Sequence, residues 1–448
     1  MAEVDGRQKP SAQSRGRRYL GASALIAVAL VAGACSSSKS STATTTSTGS
    51  SGTSGSATTT GSSGGKATGT PYTIGTISDV TGAEASSEGT TNATLQVWVQ
   101  WINANGGING HPVKLIAFDD QFNPANTLAD AKQLIADHVL AIVSDQTSFD
   151  STFASSVKAA GIPVVGGGLF QSSWYTNSDF YPQGTTSIPS IYNEIKLGIN
   201  KGMTKLGLFY CAESPACAQA VQLYKPLTQM AGGTLSYYAS VSASAPNYTA
   251  QCLAAQSAGV QFLDIGDNSS TILRVAESCA QQNYKPLEVG TDGSVTGQWA
   301  TSSVMQGAVA VQQDAPFSDT SNAGIATMIS AIKQYNPGIL TADSWGENDV
   351  YAWASGQLFA AAAKAGNLGD NPTAAGVIQG LTSLSGETLG GIAPPLTFAS
   401  GQDHEVYCEF VQGVANNAFI QPQGDTQVCA PQGTLAPVIA GIVKALGG

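Results

Sequence analysis

Asn103-Ala104-Asn105-Gly106-Gly107-Ile108-Asn109-Gly110-His111-Pro112-Val113-Lys114-Leu115, with Asp119-Asp120-Gln121-Phe122-Asn123-Pro124-Ala125 just beyond it, is the stretch that decides the fold. Its first part reads as a helix end, a glycine-rich turn and a new strand. Gly106 suits the left-handed residue that closes a helix. The second part ends that strand and opens another helix: Asn123 suits the N-cap, and Pro124 suits the first helical position, where no backbone N–H is required. Helix, strand and helix in close succession form one repeat of an α/β chain.

The same alternation extends outward. Residues 72–78, 113–118, 140–143 and 162–165 read as strands, with helices at 93–103 and 125–137 and another between the last two strands. After a gap with no assigned element the pattern resumes: strands at 204–210, 235–241, 262–265 and 287–290 separate helices at 214–230, 248–258 and 271–282. The chain is expected to cross back near 309–312, because 323–335 and 348–365 are long helices with no strand between them. Runs at 406–411 and 418–421 then return to the second half, and 435–446 closes the chain as a short apolar helix. The prediction is an α/β protein of two doubly wound parallel-sheet lobes joined by a multi-strand hinge. The first lobe takes residues 71–188 completed by about 313–392, and the second 189–312 completed by about 393–448.

The amino end reads as an export signal. Arg15, Arg17 and Arg18 precede an apolar run from Tyr19 to Val31, too short to span a bilayer, which leads into Ala32-Gly33-Ala34-Cys35. That ending resembles a bacterial lipobox, although Ala32 stands where leucine is usual. The resemblance implies cleavage after residue 34, lipid on Cys35, and anchoring at the outer face of a bacterial cytoplasmic membrane. The Arg17-Arg18 pair leaves Sec and twin-arginine export both open. Residues 35–70, nearly all Ser, Thr, Gly and Ala, form the expected flexible tether.

Removal of residues 1–34 takes five basic and two acidic side chains from chain totals of 19 and 30, which leaves a net charge of −14. That balance argues against nucleic acid or anionic lipid as a partner, since both are held by Lys/Arg patches. Apart from Cys35, Cys211, Cys217, Cys252, Cys279, Cys408 and Cys429 are an even set in an exported chain and suggest disulfides. Nearest-neighbour pairing is favoured among the fifteen that six cysteines allow. The absence of Cys-x-x-Cys and the scarcity of His argue against a metal site.

The phrase NANGGINGHPVKL…DDQFNPANTLADAKQLI, beginning at Asn103, closely resembles the branched-chain amino-acid-binding family of type I periplasmic binding proteins. The glycines, Asn123 and Pro124 serve turns and caps, so they mark the family without locating its site. The resemblance implies the substrate-binding lipoprotein of an ABC importer, with a permease and an ATPase as partners. It also implies a small polar ligand, amino-acid-like, held between the lobes and needing no cofactor.

Loops at the carboxyl ends of parallel strands face such a cleft, which selects residues 78–85, 145–150 and 166–171 in the first lobe. The family's anchoring of the ligand α-carboxylate maps to Thr147, Ser148, Gly168, Leu169 and Phe170; helix capping and a glycine turn are the plainer reading of the same residues. Asp292, in Thr291-Asp292-Gly293, matches the acidic residue that receives the ligand ammonium. Asn268 is a neighbouring candidate, and Trp174, Tyr175 and Trp345 could line the pocket. Trp98 and Trp101, three apart, read as core. Where relatives place an aromatic residue after the first strand of the second lobe, this chain has Cys211-Ala212-Glu213-Ser214-Pro215-Ala216-Cys217, so side-chain specificity does not carry over. His111, His138 and His404 fall in no catalytic array, and no G-x-S-x-G elbow occurs in the structured region, so an enzyme is not expected. His111, before Pro112, reads as an exposed turn residue. A lipid-anchored ligand sensor of the same fold is the alternative to a transport component.

Overall fold

The computed structural model describes residues 67–290, 293–424 and 426–445. The signal, Cys35 and the tether up to residue 66 therefore lie outside the described residues, as does Asp292. The first lobe opens with β1 (Tyr72–Ser78), α1 (Ala85–Glu88), α2 (Thr91–Ala104), β2 (Val113–Asp119) and α3 (Pro124–Ala136). It continues with β3 (Ile142–Asp145), α4 (Ala154–Ala160), β4 (Val164–Gly167), α5 (Ser173–Thr176) and β5 (Phe180–Tyr181). Its five strands are parallel in the order β2-β1-β3-β4-β5. The winding reverses between β1 and β3, which opens a crevice at their carboxyl ends.

The deciding stretch folds by the chemistry of its residues. Gly106, Gly107 and Gly110 have φ of 94°, 69° and 83°, and a Cβ on Gly107 would lie 2.1 Å from the carbonyl oxygen of His111. Ile108 and His111 exchange backbone hydrogen bonds at 2.8 and 2.9 Å across the turn. The Asn103 side chain grips Val113 from both sides, accepting from its N–H at 2.7 Å and donating to its carbonyl at 2.9 Å. Asn123 caps α3 by accepting from the N–H of Ala125 at 2.9 Å. His111 departs from the sequence expectation: it is buried, because its ring stacks on Tyr72 at 4.7 Å and its Nδ1 meets the carbonyl of Thr70 at 2.9 Å.

The second lobe carries α6 (Ser187–Asn200), β6 (Lys205–Cys211), α7 (Pro215–Ala231), β7 (Thr234–Val241), α8 (Thr249–Ser257) and β8 (Phe262–Gly266). Next come α9 (Ser269–Gln281), β9 (Leu287–Gly290), α10 (Gln298–Thr301) and β10 (Val309–Gln312). The chain then forms α11 (Ala323–Tyr335), α12 (Glu347–Ala365), α13 (Ala374–Ser383) and a small hairpin of β11 (Ser385–Glu387) and β12 (Leu396–Thr397). It ends with β13 (Cys408–Ala415), β14 (Ala418–Ile420), β15 (Val428–Cys429) and α14 (Gln432–Ala445). The second sheet runs β14-β13-β10-β9-β8-β6-β7, parallel from β10 to β7, with β13 antiparallel to β10. Both β14 and β15 pair antiparallel with β13.

Helix α12 packs against α2, β3 and β4 and is buried along most of its length. Trp98 and Trp353 are fully buried there, and Trp101 stands 5.1 Å from Trp353. Sequence patterning assigned nothing between residues 166 and 203; the structure places α5, β5 and α6 there, and α6 closes against α7 and β10. Three segments, 182–186, 313–322 and 398–407, pass between the sheets side by side. The N–H of Thr185 donates to Gln313 and that of Thr186 to Val406, each at 3.4 Å. The disulfides are Cys211–Cys217, Cys252–Cys279 and Cys408–Cys429, the nearest-neighbour set; the middle one joins α8 to α9 across a Cα separation of 5.0 Å. Among the described residues no helix is long and apolar enough to cross a membrane.

Candidate functional site

The carboxyl ends of the two sheets enclose a cavity of about 210 Å3. From the first lobe it is lined by Glu84, Ser87 and Glu88 after β1, Phe122 after β2, Ser148 after β3, and Phe170, Gln171 and Ser172 after β4. From the second come Tyr210 and Cys211 at the end of β6, Asp264, Gly266 and Asp267 at the end of β8, and Gly293 and Ser294 after β9. Tyr175, Ser187 and Tyr224 reach it from α5, α6 and α7, and Asn348 from the start of α12.

The lobes meet beside this cavity. Ser86 Oγ donates to Asn268 Oδ1 at 3.0 Å and accepts from the N–H of Ser270 at 3.2 Å. Ser87 Oγ accepts from the N–H of Ser269 at 2.9 Å. The first two N–H groups of α9, which a helix leaves unsatisfied within itself, are thus taken by serines of the opposite lobe. Asn268 Oδ1 satisfies the third as an N-cap, accepting from Thr271 at 3.0 Å. Asn348 adds another tie: its Nδ2 donates to the carbonyls of Ser87 and Gly293 at 3.2 and 2.9 Å.

Acidic groups dominate the electrostatics. Burial pushes the Glu84 carboxyl up to about 8, with Asp267 and Glu213 adding repulsion. Burial also lifts Glu88 well above the usual carboxylate range, helped by Asp79, Glu84 and Asp120. Asp267 is pushed up to about 7, chiefly by burial and against a hydrogen bond from Asn268 that favours its charge. Beneath the cavity, burial and the neighbouring Asp120 raise Asp79, while burial, Asp150 and Asp120 raise Asp145. Among the described residues no group of three His, Cys, Asp or Glu side chains is placed to hold a metal ion.

The residues singled out by sequence fall in different places. Ser148 and Phe170 line the cavity, as does Tyr175. Ser148 gives its N–H and hydroxyl to Asp79 Oδ2 at 2.9 and 2.7 Å. Thr147, buried behind it, donates to Asp120 Oδ2 at 2.5 Å and is not part of the lining. Gly168 is not in the lining either; its N–H bonds to the carbonyl of Asp145 at 2.9 Å. Leu169 turns into the core with Phe153, Trp174 and Phe180. Asn268 caps α9 at the cavity's edge, while Trp345 packs edge-on against Phe317 at 5.7 Å, away from it. Asp292 lies outside the described residues, and the Gly293 that follows it lines the cavity.

Sequence reasoning did not single out Glu84 and Glu88. A readable signal existed: two glutamates four apart directly after a strand whose carboxyl end faces the crevice stand on one face of a helical turn.

Residues 71–414 match the periplasmic binding protein family, most of the described chain. The chain belongs to that family. No curated protein gives a significant sequence match. Among solved structures, a branched-chain amino-acid ABC transporter protein from Thermus thermophilus with bound valine superposes with a TM-score of 0.73 at 13% identity, covering 81% of this chain and 98% of that one. A fatty acid ABC transporter substrate-binding protein from Thermomonospora curvata gives 0.69 at 16%, covering 82% and 93%. A solute-binding protein from R. palustris in complex with benzoate gives 0.66 at 13%, covering 80% and 98%. At such identities the likeness is one of fold. Periplasmic binding proteins are extracytoplasmic binding proteins rather than catalysts, and the two-lobed, parallel-sheet α/β architecture found here is theirs.

Proposed function

We propose that this periplasmic binding protein is the solute-binding component of an ABC importer, of the branched-chain amino-acid-binding type. It captures a small polar metabolite, an amino acid or amino-acid-like compound, and performs no chemistry on it. The observation that carries the reading is the cavity itself: strand ends of both lobes line it, and the hydrogen bonds of Ser86, Ser87 and Asn348 cross the cleft at its edge. A ligand that touches both lobes stabilises the closed arrangement over the open one, and the closed shape is what a permease would recognise. Lipid on Cys35 and the Ser/Thr/Gly-rich tether would hold the body at the membrane surface.

Solute binding is tested on the mature chain by calorimetry against amines, amino acids, amides, aromatic acids and fatty acids, with small-angle scattering on any hit. A binding solute is expected to reduce the radius of gyration. If no solute gives heat and the radius never changes, the binding-protein reading falls. Cys35→Ala is expected to move the protein from the membrane fraction to the soluble one.

A further inference from the structure

The cavity is rich in acceptors and short of positive charge. Glu84, Glu88, Asp264 and Asp267 line it, and among its described lining residues there is no Lys, Arg or His. Glu88 is 2% exposed, and its Oε2 finds no hydrogen-bond partner in the protein. Asn348, 3% exposed, gives its amide nitrogen to two carbonyls and leaves Oδ1 unpartnered; Asp267 Oδ2 is in the same position. A buried acceptor without a donor is costly, and a ligand bearing several N–H groups would satisfy these oxygens while drawing the lifted carboxyls into their charged form. A cationic N–H meeting a carboxylate makes a hydrogen bond roughly twice as strong as a neutral one. The rings of Phe122, Phe170 and Tyr210 add apolar surface and faces that attract a cation.

Two sets of donors best placed to hold a carboxylate are already engaged. Both donors of Ser148 serve Asp79, and the leading N–H groups of α9 serve Ser87, Ser86 and Asn268. Ser187, whose buried hydroxyl lacks a partner, contributes one neutral donor.

We propose that the cavity takes a small organic cation, an amine or guanidine on an apolar stem without a carboxylate, anchored by Glu88 with Glu84 and Asp267 beside it. This rests on the solute-binding reading and narrows it from amino acids to their decarboxylated counterparts and compounds like them.

The test uses matched pairs that differ by one carboxylate: agmatine and arginine, putrescine and ornithine, tyramine and tyrosine, isoamylamine and leucine. Benzoate and octanoate are included, and all are titrated calorimetrically into the mature chain at pH 8. At least one amine is expected to bind ten or more times tighter than its parent amino acid. Its heat should depend on the buffer's ionisation enthalpy, because binding expels protons from the carboxylates. Glu88→Gln is expected to weaken it at least tenfold with no loss of thermal stability in the unliganded protein; should that variant fail to fold, Glu84→Gln is read in its place. An amino acid or acid anion that binds as tightly as the amines overturns the proposal and leaves the solute-binding reading standing. Binding by no amine, or amine binding untouched by either glutamine variant, overturns it as well. Failure of the broader reading would look different: no heat from any solute and no contraction in scattering.

Discussion

Ser148 spends both its backbone N–H and its hydroxyl on one oxygen of Asp79, at 2.9 and 2.7 Å. Both residues are buried, Asp79 completely. The first lobe thus supplies its own carboxylate to the donors that the loop after β3 offers toward the cleft. Asp79→Ala would strand those donors, at a cost of about 1–3 kcal/mol for a buried unsatisfied group. The expected outcome is a lower chemical-denaturation midpoint, together with a gain of affinity for amino acids relative to their matched amines, as Ser148 becomes free to meet a ligand carboxylate. Asp79→Asn, which keeps one acceptor for Ser148, should show neither effect in full. Denaturation curves and the amine-to-amino-acid affinity ratio check both.

Stability should fall as pH rises. Burial lifts Glu84 and Glu288 to about 8, and Asp150, Asp267, Asp349 and Glu405 to about 7, all above their unfolded values near 4. Between those values the folded chain holds more protons than the unfolded one. The stability these groups contribute is therefore complete below about pH 4 and lost as pH climbs through 7 to 8. His404 opposes the trend: burial lowers it to about 4, so its contribution is lost as pH drops from about 6.5 toward 4. One histidine stands against at least six carboxylates, and the melting temperature is expected to be higher at pH 5.5 than at pH 8.5 at fixed ionic strength. A flat or rising profile would contradict the burial of these groups. Saturating amine should flatten part of it from the high-pH side by stabilising the ionised forms of Glu84 and Asp267, the two of these groups that line the cavity.

The three disulfides should differ in what they contribute. Cys252–Cys279 and Cys408–Cys429 close loops of 27 and 21 residues, and Cys211–Cys217 one of 6. Loop-closure entropy then predicts losses of about 3.5 and about 3.3 kcal/mol for the two longer loops and about 2.2 kcal/mol for the short one when each pair is changed to alanine. Cys211 and Cys217 both line the cavity, so the short loop's removal should alter ligand affinity, whereas removal of the α8–α9 crosslink, outside the lining, should not. Denaturation midpoints and calorimetric affinities on the three double variants separate the two effects.

Much of the frame was legible because it depends on local chemistry. Strand β1 and helix α11 lie where apolar patterning puts them, and Asn123 caps α3 because Asn followed by Pro has few better conformations. Helix α6 was missed, although Ile188, Ile191 and Ile195 repeat at helical spacing: it follows a two-residue strand and a crossing segment, so the strand–helix alternation that located its neighbours gives no cue. In the site, the loops were found by strand polarity, but direction within a loop was not. Leu169 and Phe170 are adjacent; one packs on Trp174 and Phe180, the other stands 37% exposed at the cavity, and only the path of the backbone through Gly166–Gly168 decides which. The competition for Ser148 was equally hidden, since Asp79 is 69 residues away in sequence. Glu84 and Glu88 reach the lining through α1, a single turn whose one sequence cue is the four-residue spacing of these two glutamates.

The contact between Ser86 and Asn268 offers a way to weigh closure apart from ligand chemistry. Ser86 holds two cross-lobe hydrogen bonds, to Asn268 Oδ1 and from the N–H of Ser270, yet it is not among the cavity-lining residues. Ser86→Ala removes both bonds while leaving Glu88, Glu84 and Asp267 in place. A typical hydrogen bond contributes about 0.5–1.5 kcal/mol net. Loss of the pair should shift the unliganded lobes toward the open form, and apparent affinity falls with the fraction of protein that can close. Ligand binding is therefore expected to weaken by roughly 5- to 150-fold, two bonds at about 0.5–1.5 kcal/mol each. At saturation the liganded radius of gyration should match that of the parent protein, while the unliganded radius is larger. Small-angle scattering with and without ligand, beside calorimetry, gives both quantities. An unchanged affinity would mean that Ser86 contributes nothing to the closure equilibrium, and a changed radius at saturation would mean that it sets the closed geometry itself.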